Sequence, residues 1–233
     1  MVTFTRHTDG QTIVANDINE LQVGLESVPV RSPIETTLYV RDDFLNGSSG
    51  DLGWTTTGGT TSIPVLGGHP GSIRRNTGTV SGTVASSRLS TPVAPADTFD
   101  LRFNMFLTQN DANTVCRMGL SGDATINAAT EGIWIEKLAA DTSWFGVVRV
   151  GGASTRTAAL GAVSAGTWIN GRVRRVNDTT VAFSLDGGTT DVTSTATAPT
   201  SGIQPFVHVT TTTTVSKDFV LDWFDMLITG LTR

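Results

Sequence analysis

Cysteine is almost missing from this chain: Cys116 stands alone in 233 residues. A single thiol cannot close a disulfide within the chain, and without a second Cys or a clustered His it cannot build a zinc site. Cys116 therefore reads as a small buried apolar residue. Charge is scarce too, at 16% of residues, and the balance is acidic, with a net charge of -5 and a pI near 5.1. A dedicated nucleic-acid binder draws its affinity from Lys and Arg that replace condensed counterions, so that class is excluded. No apolar run approaches the roughly 20 residues a membrane helix needs, and Met1 to Gly10 lacks the apolar stretch of an export signal. The expectation is a soluble protein made in a cytoplasm, with neither membrane nor nucleic acid among its partners.

What is present is glycine, 25 residues of it, much Thr, and a mean hydropathy of +0.02. That is the composition of many short strands joined by turns, and not of a disordered tail or a rod. The length suits one large all-β domain with a small extension. We place a helical attachment and oligomerisation segment at 1–33 and a β-sandwich at 34–233.

In the first segment Val14, Ile18, Leu21, Leu25 and Val28 are spaced four, three, four and three, the a/d spacing of two heptads. Asn16 or Asp17 can cap the start, and Pro29 and Pro33 stop the continuation. A helix this short is marginal alone, because nucleation costs more than a few turns return, so the seam needs a partner. A narrow a/d stripe favours self-association, and Ile/Leu at a with Leu/Val at d is compatible with a trimer.

After Pro33 the pattern is strand and turn. Leu38 to Phe44 reads as a strand, followed by a Gly/Ser/Thr-rich stretch from Asn46 to Thr83. Phe99 to Thr108 and Val115 to Leu120 are further strands. Gly132 to Leu138 and Ser143 to Val150 form a hairpin through Asp141. Trp168 to Val176, the Asn177-Asp178 turn and Thr179 to Asp186 form a second, in which Val181, Phe183 and Leu185 alternate with Thr180, Ala182 and Ser184. Phe219 to Ile228 is apolar on both parities, as a central strand should be. Strands at this spacing predict a two-sheet antiparallel sandwich.

The late hairpin, a Trp opening a strand, an Asn-Asp turn and a strand ending Phe183-Ser-Leu-Asp-Gly187, resembles that of concanavalin A-like (laminin G-like) jelly rolls. Arg41-Asp-Asp-Phe-Leu45 with Gly53-Trp54, and Leu221-Asp-Trp-Phe-Asp-Met-Leu227, resemble bacteriophage virion proteins that carry this sandwich. Asp9-Gly-Gln-Thr-Ile-Val-Ala-Asn-Asp-Ile-Asn-Glu-Leu21 is similar to the opening of many phage fibre and appendage proteins. The resemblance implies a jelly roll preceded by a short N-terminal helix, in a non-enzymatic virion protein of the tail appendage, fibre or minor tail type. Its helix would drive assembly into a homo-oligomer, a trimer by preference, among other virion structural proteins, and its sandwich would face outward. Capsid decoration uses the same parts. The alternative of another class is a carbohydrate-binding, lectin-like module that recognises a host surface glycan, because fold alone does not decide function.

Chemistry is sparse. Glycanases on this fold use a Glu-x-Asp-x-x-Glu strand, since retaining hydrolysis needs two carboxylates about 5 Å apart. Beyond Glu35 only Glu131 and Glu136 occur; five residues apart they lie on opposite parities of a strand, and both read as surface residues. His7, His69 and His208 are scattered, and no nucleophile elbow, phosphate loop or cofactor motif is present. Asn110-Asp111-Ala-Asn113 and Asp42-Asp43 offer oxygens of the kind Ca²⁺ accepts, but a solvated turn and a strand-edge pair are the favoured readings, and no metal is assigned. Arg172, Arg174 and Arg175, with Arg149 and Arg156, suggest a basic face or a solvated edge. Trp168 and Trp223 sit in strands and read as core. Trp54 and Trp144 are better placed to stack on a sugar or a neighbouring subunit, although core packing is favoured for them as well.

Overall fold

The computed structural model describes residues 37–45, 52–62, 64, 69, 71–89, 98–123, 129–199 and 202–229. The expected N-terminal helix, with Val14, Ile18, Leu21, Leu25 and Val28, lies outside the described residues. The described chain forms β1 (Thr37–Asp42), β2 (Thr55–Thr57), β3 (Thr60–Ser62), β4 (Ile73–Asn76), β5 (Val84–Arg88), β6 (Thr98–Leu107), β7 (Thr114–Ser121) and β8 (Gly132–Lys137). It continues through β9 (Ser143–Val150), β10 (Ala153–Ala162), β11 (Trp168–Asn177), β12 (Thr180–Ser184), β13 (Val192–Ser194), β14 (Gln204–Thr211) and β15 (Asp218–Thr229). Sheet I runs β13-β12-β11-β6-β15-β4-β3 with β1 also on β15, and sheet II runs β10-β9-β8-β7-β14-β5-β2. Their ladders are antiparallel, so the all-β two-sheet sandwich read from the sequence is the fold observed.

Both expected hairpins form, each for a local reason. In β8–β9 the Asp141 carboxylate accepts the Leu138 amide at 2.8 Å, and the Asp141 amide donates to the Leu138 carbonyl at 3.1 Å. In β11–β12 the Asn177 side chain accepts the Thr179 amide at 3.0 Å, closing the turn so that Val173 pairs with Phe183.

The centre of sheet I is the β6–β15 ladder. Phe219–Leu107, Leu221–Met105, Phe224–Phe103, Met226–Leu101 and Ile228–Phe99 are cross-strand partners, and every member is 3% exposed or less. The parity of β15 changes between Leu221 and Trp223 because the register shifts there and Asp222 is the extra residue of a β-bulge. Leu221 and Phe224 thus both face inward, and this bulge, more than coverage of both faces, accounts for the apolar residues on both parities. Against this wall sheet II packs Met118, Leu120, Ile133, Ile135, Trp144, Val148, Val207 and Val209, all buried. Each such side chain contributes about 1.5–3 kcal/mol on leaving water.

The segments that open and close the described sandwich meet. β1 pairs with the second half of β15, from Asp42–Phe224 to Thr37–Thr229. Asp42 accepts the Phe44 amide at 2.9 Å, the Leu52 amide at 3.1 Å and the Trp54 indole at 3.0 Å. Trp54 in turn lies against Phe44 at 5.6 Å and edge-on to Phe224 at 5.4 Å between ring centres. The Asp-Asp-Phe, Gly-Trp and Asp-Trp-Phe motifs of the sequence are therefore three sides of one aromatic clasp.

Candidate functional site

The outward face of sheet I carries the polar and aromatic residues that the core excludes. On β11 the inward set is Ile169, Gly171 and Val173, which turns Trp168, Asn170, Arg172 and Arg174 outward. The register aligns Trp168 with Phe106 and Val220, and Asn170 with Asn104 and Trp223. Trp168 and Phe106 are half-buried, with ring centres 5.1 Å apart. The His69 ring also lies against Trp168, tilted by 30° with ring centres 4.3 Å apart. His69 Nδ1 lies 2.6 Å from Asp222 Oδ2, and the bulge is what brings that carboxylate, only 10% exposed, to the same end of the face. Asn104 is 8% exposed and its Oδ1 has no hydrogen-bond partner among the described residues. The result is an aromatic ledge of His69, Trp168 and Phe106 bordered by Asp222, Asn104, Asn170 and Trp223.

Beside it lie the charges. Asp100 accepts a fork from Arg172, Nε to Oδ1 at 2.7 Å and Nη2 to Oδ2 at 2.6 Å, and a looser one from Arg102 at 3.5 and 3.0 Å. Burial alone would raise the Asp100 carboxyl, but these guanidinium hydrogen bonds hold it below the ordinary range. Asp225 is pushed upward by burial, against the pull of Arg102.

Such a surface offers both apolar faces and hydrogen-bonding groups. Aromatic rings take the C–H faces of a sugar, while amide, carboxylate and imidazole groups take its hydroxyls. The Asp222 carboxylate is committed to His69 and that of Asp100 to Arg172, which leaves Asp225 as the one carboxylate among Asp100, Asp222 and Asp225 without a hydrogen bond among the described residues.

Trp54 is 3% exposed and Trp144 fully buried, the core packing favoured for them, so neither has a free face for a sugar or a subunit, whereas Trp168 and Trp223, expected in the core, are partly exposed. Strand parity explains the difference. Trp144 shares the inward parity of Gly146 and Val148, while Trp168 opposes Ile169, and the bulge turns Trp223 outward. Glu136, read as a surface residue, is 4% exposed, because Arg117 Nε and Arg156 Nε meet its oxygens at 3.1 Å each and the Trp134 indole at 3.0 Å. The five arginines do not share a face: Arg172 and Arg174 belong to sheet I, Arg149 and Arg156 to sheet II, and Arg175 pairs with Asp178 at 2.9 Å.

In the stretch Asn110 to Asn113 the oxygens of Asp111 and Asn113 are engaged, those of Asn113 by Thr212. Asp111 binds the Lys217 ammonium, the Asn113 amide at 2.8 Å and the Thr114 hydroxyl at 2.8 Å. Its carbonyl joins those of Thr114 and Leu138 around Lys137 Nζ, at 2.8, 3.0 and 3.3 Å. Two ammonium groups occupy the surroundings in which a cation was considered, and no group of three or more His, Cys, Asp or Glu suited to a metal occurs among the described residues. His69, Asp222, Asn104 and Phe106 escape sequence reasoning. The signal that could have found this face is the outward parity of Trp168, a residue read from the sequence as core, against Ile169 and Val173.

Among solved structures, a protein of unknown function, SO2946 from Shewanella oneidensis MR-1, is similar over 97% of this chain and 99% of its own, at 18% identity and a TM-score of 0.64. The Emp47p carbohydrate recognition domain matches 85% of this chain and 96% of its own at 12% identity and a TM-score of 0.60. The Bacillus licheniformis β-glucanase matches 81% and 97% at 13% identity and a TM-score of 0.59. At such identities the likeness is one of fold: the two-sheet sandwich resembles the concanavalin A-like architecture shared by lectins and glycosidases. No curated protein matches the sequence. The model of the SO2946-like, C-terminal domain matches residues 68–221, more than half of the chain, and the chain belongs to that family.

Proposed function

We propose that this is a non-enzymatic, oligomeric structural protein of a phage virion, of the tail-appendage or fibre type, whose outward sandwich recognises a host surface glycan through sheet I. The observation that carries the glycan reading is the ledge itself: His69 stacked on Trp168, Trp168 against Phe106, and the polar groups of Asp222 and Asn104 beside them. The lectin-type neighbours support it, and so does the engagement of the Asp100 and Asp222 carboxylates by Arg172 and His69. The virion setting rests on the phage-like opening segment, and oligomer assembly on the a/d stripe from Val14 to Val28.

The test is binding of the full chain to polysaccharide from candidate host surfaces, with release of reducing ends followed in parallel. Trp168→Ala removes the middle ring of the ledge and should weaken binding about tenfold, the equivalent of ~1.4 kcal/mol, with no sugar released by either protein. Undiminished binding by the variant would remove the ledge from the site, and reducing ends from the wild type would make the protein an enzyme. Sedimentation of the Ile18→Asp/Leu25→Asp variant tests assembly separately, since two unpaired charges in an a/d seam should dissociate the oligomer.

A further inference from the structure

The rows next to the ledge are lined with guanidinium groups. Arg41, Asp225, Arg102 and Arg172 are consecutive neighbours in register across β1, β15, β6 and β11, and Arg174 follows in the next row beside Asp100. Four arginines thus stand against Asp100, Asp191 and Asp225, a local positive excess on a chain of net charge -5. They are not equally committed. Arg172 spends its fork on Asp100, is 15% exposed, and is roofed by Gly188, where a Cβ would overlap its guanidinium. Arg174 pairs with Asp191 at 2.5 Å. Arg102 reaches the same Asp100 oxygens second and at longer range, with 47% of its side chain exposed. Arg41 is exposed and makes no side-chain hydrogen bond among the described residues. Asp225 lies between these two without a hydrogen bond to either.

We infer, resting on the glycan reading above, that the ligand is an acidic polysaccharide, with a uronic-acid carboxylate taken by Arg102 and Arg41 while another sugar of the same chain lies on the Trp168–Phe106 ledge. A guanidinium presents planar paired donors that match a carboxylate, and these two are the ones with donors to spare. Arg102 and Phe106 are four residues apart on one strand, roughly 13 Å, which is longer than a single sugar ring and calls for an oligosaccharide.

The experiment is affinity electrophoresis of the full-length protein in polygalacturonate and in the same polymer after reduction of its carboxyl groups. Wild type should be retarded by polygalacturonate, and about tenfold less by the neutral form. Arg41→Gln/Arg102→Gln should lose that preference while melting like wild type, because both side chains are exposed. Trp168→Ala should weaken binding to both polymers. Equal retardation by the two polymers, or a preference that survives the double substitution, overturns the acidic inference and leaves the ledge reading standing so long as Trp168→Ala still weakens binding. Retardation by neither polymer overturns both.

Discussion

Glu136, Lys137, Lys217 and Arg75 are all at most 4% exposed, and burying such groups is tolerable only where polar partners meet them: two guanidinium groups at Glu136, three carbonyls at Lys137, Asp111 and Gln109 at Lys217, and the carbonyls of Gly58 and Thr57 at Arg75 Nη2, while Arg75 Nε has no partner among the described residues. His208 takes the other route. It is fully buried on β14, with Nε2 at 2.7 Å from the Thr210 hydroxyl, Nδ1 unpartnered among the described residues, and Ser86 and Arg117 as its cross-strand neighbours. Burial, helped by the nearby Arg117 charge, pushes its imidazole down to about 3, so the folded protein holds it neutral. The unfolded chain takes up a proton near the ordinary value of about 6.5. Between these limits the unfolded state binds more protons, and unfolding free energy falls as the pH drops, by on the order of 1.4 kcal/mol per pH unit, while above about 6.5 this contribution is flat. His208→Gln keeps a hydrogen-bonding group but cannot titrate. Its urea midpoint should decline less than that of wild type between pH 6.5 and 5; parallel declines would show that His208 is not the acid-labile group. Cys116 is inert for a related reason, its thiol raised to about 12 by burial.

Among the elements, the hairpins were the most legible. Their apolar residues recur at a period of two, and their turns are closed by Asp141 and Asn177, which bind partners within three residues of themselves in sequence. The ledge was not legible in the same way. His69, Asn104, Trp168 and Asp222 come from four distant places: the pairing of β6 with β11 and β15 brings the last three together, and His69 joins them through Asp222 and the Trp168 ring. The bulge at Asp222 compounds this, since one extra residue reverses the facing of everything after it, Trp223 included. Glycine carries a further constraint that composition hides. Gly146 on β9 faces the Phe183 ring of β12 across the sandwich, and a Cβ there would overlap the ring. Gly146→Ala should therefore force the two sheets or the ring apart and destabilise by about 1–3 kcal/mol, read as a lower denaturant midpoint. Gly151→Asn is the control: Gly151 is exposed in a turn with nothing near its Cβ position, and Asn tolerates its positive φ of 57°. Equal losses at the two positions would mean that the inter-sheet contact is not what Gly146 protects.

For the whole molecule, the decisive contacts are those that close the sandwich on itself. Thr37 to Gly230 form one compact unit, and its first strand, β1, is hydrogen-bonded to its last, β15. Behind that ladder Asp42 holds two backbone amides and the Trp54 indole, and Trp54 fills the space between Phe44 and Phe224. A domain whose ends are tied together by its own residues owns its core, so a chain beginning at Ile34 should unfold in a single transition with the wild-type denaturant dependence per residue. The same truncated chain with Asp42→Ala should be weaker by about 3 kcal/mol or more, because three donors would lose one acceptor in a place with little access to water. The two outcomes bear on the assembly proposal. If the truncated chain is monomeric and cooperative while the full chain is oligomeric, residues 1–33 act as an attachment device and the sandwich as its cargo. A truncated chain that lacks a cooperative transition would instead show that the first segment completes the sandwich, and the proposal that the Val14 to Val28 stripe is reserved for other copies would fall.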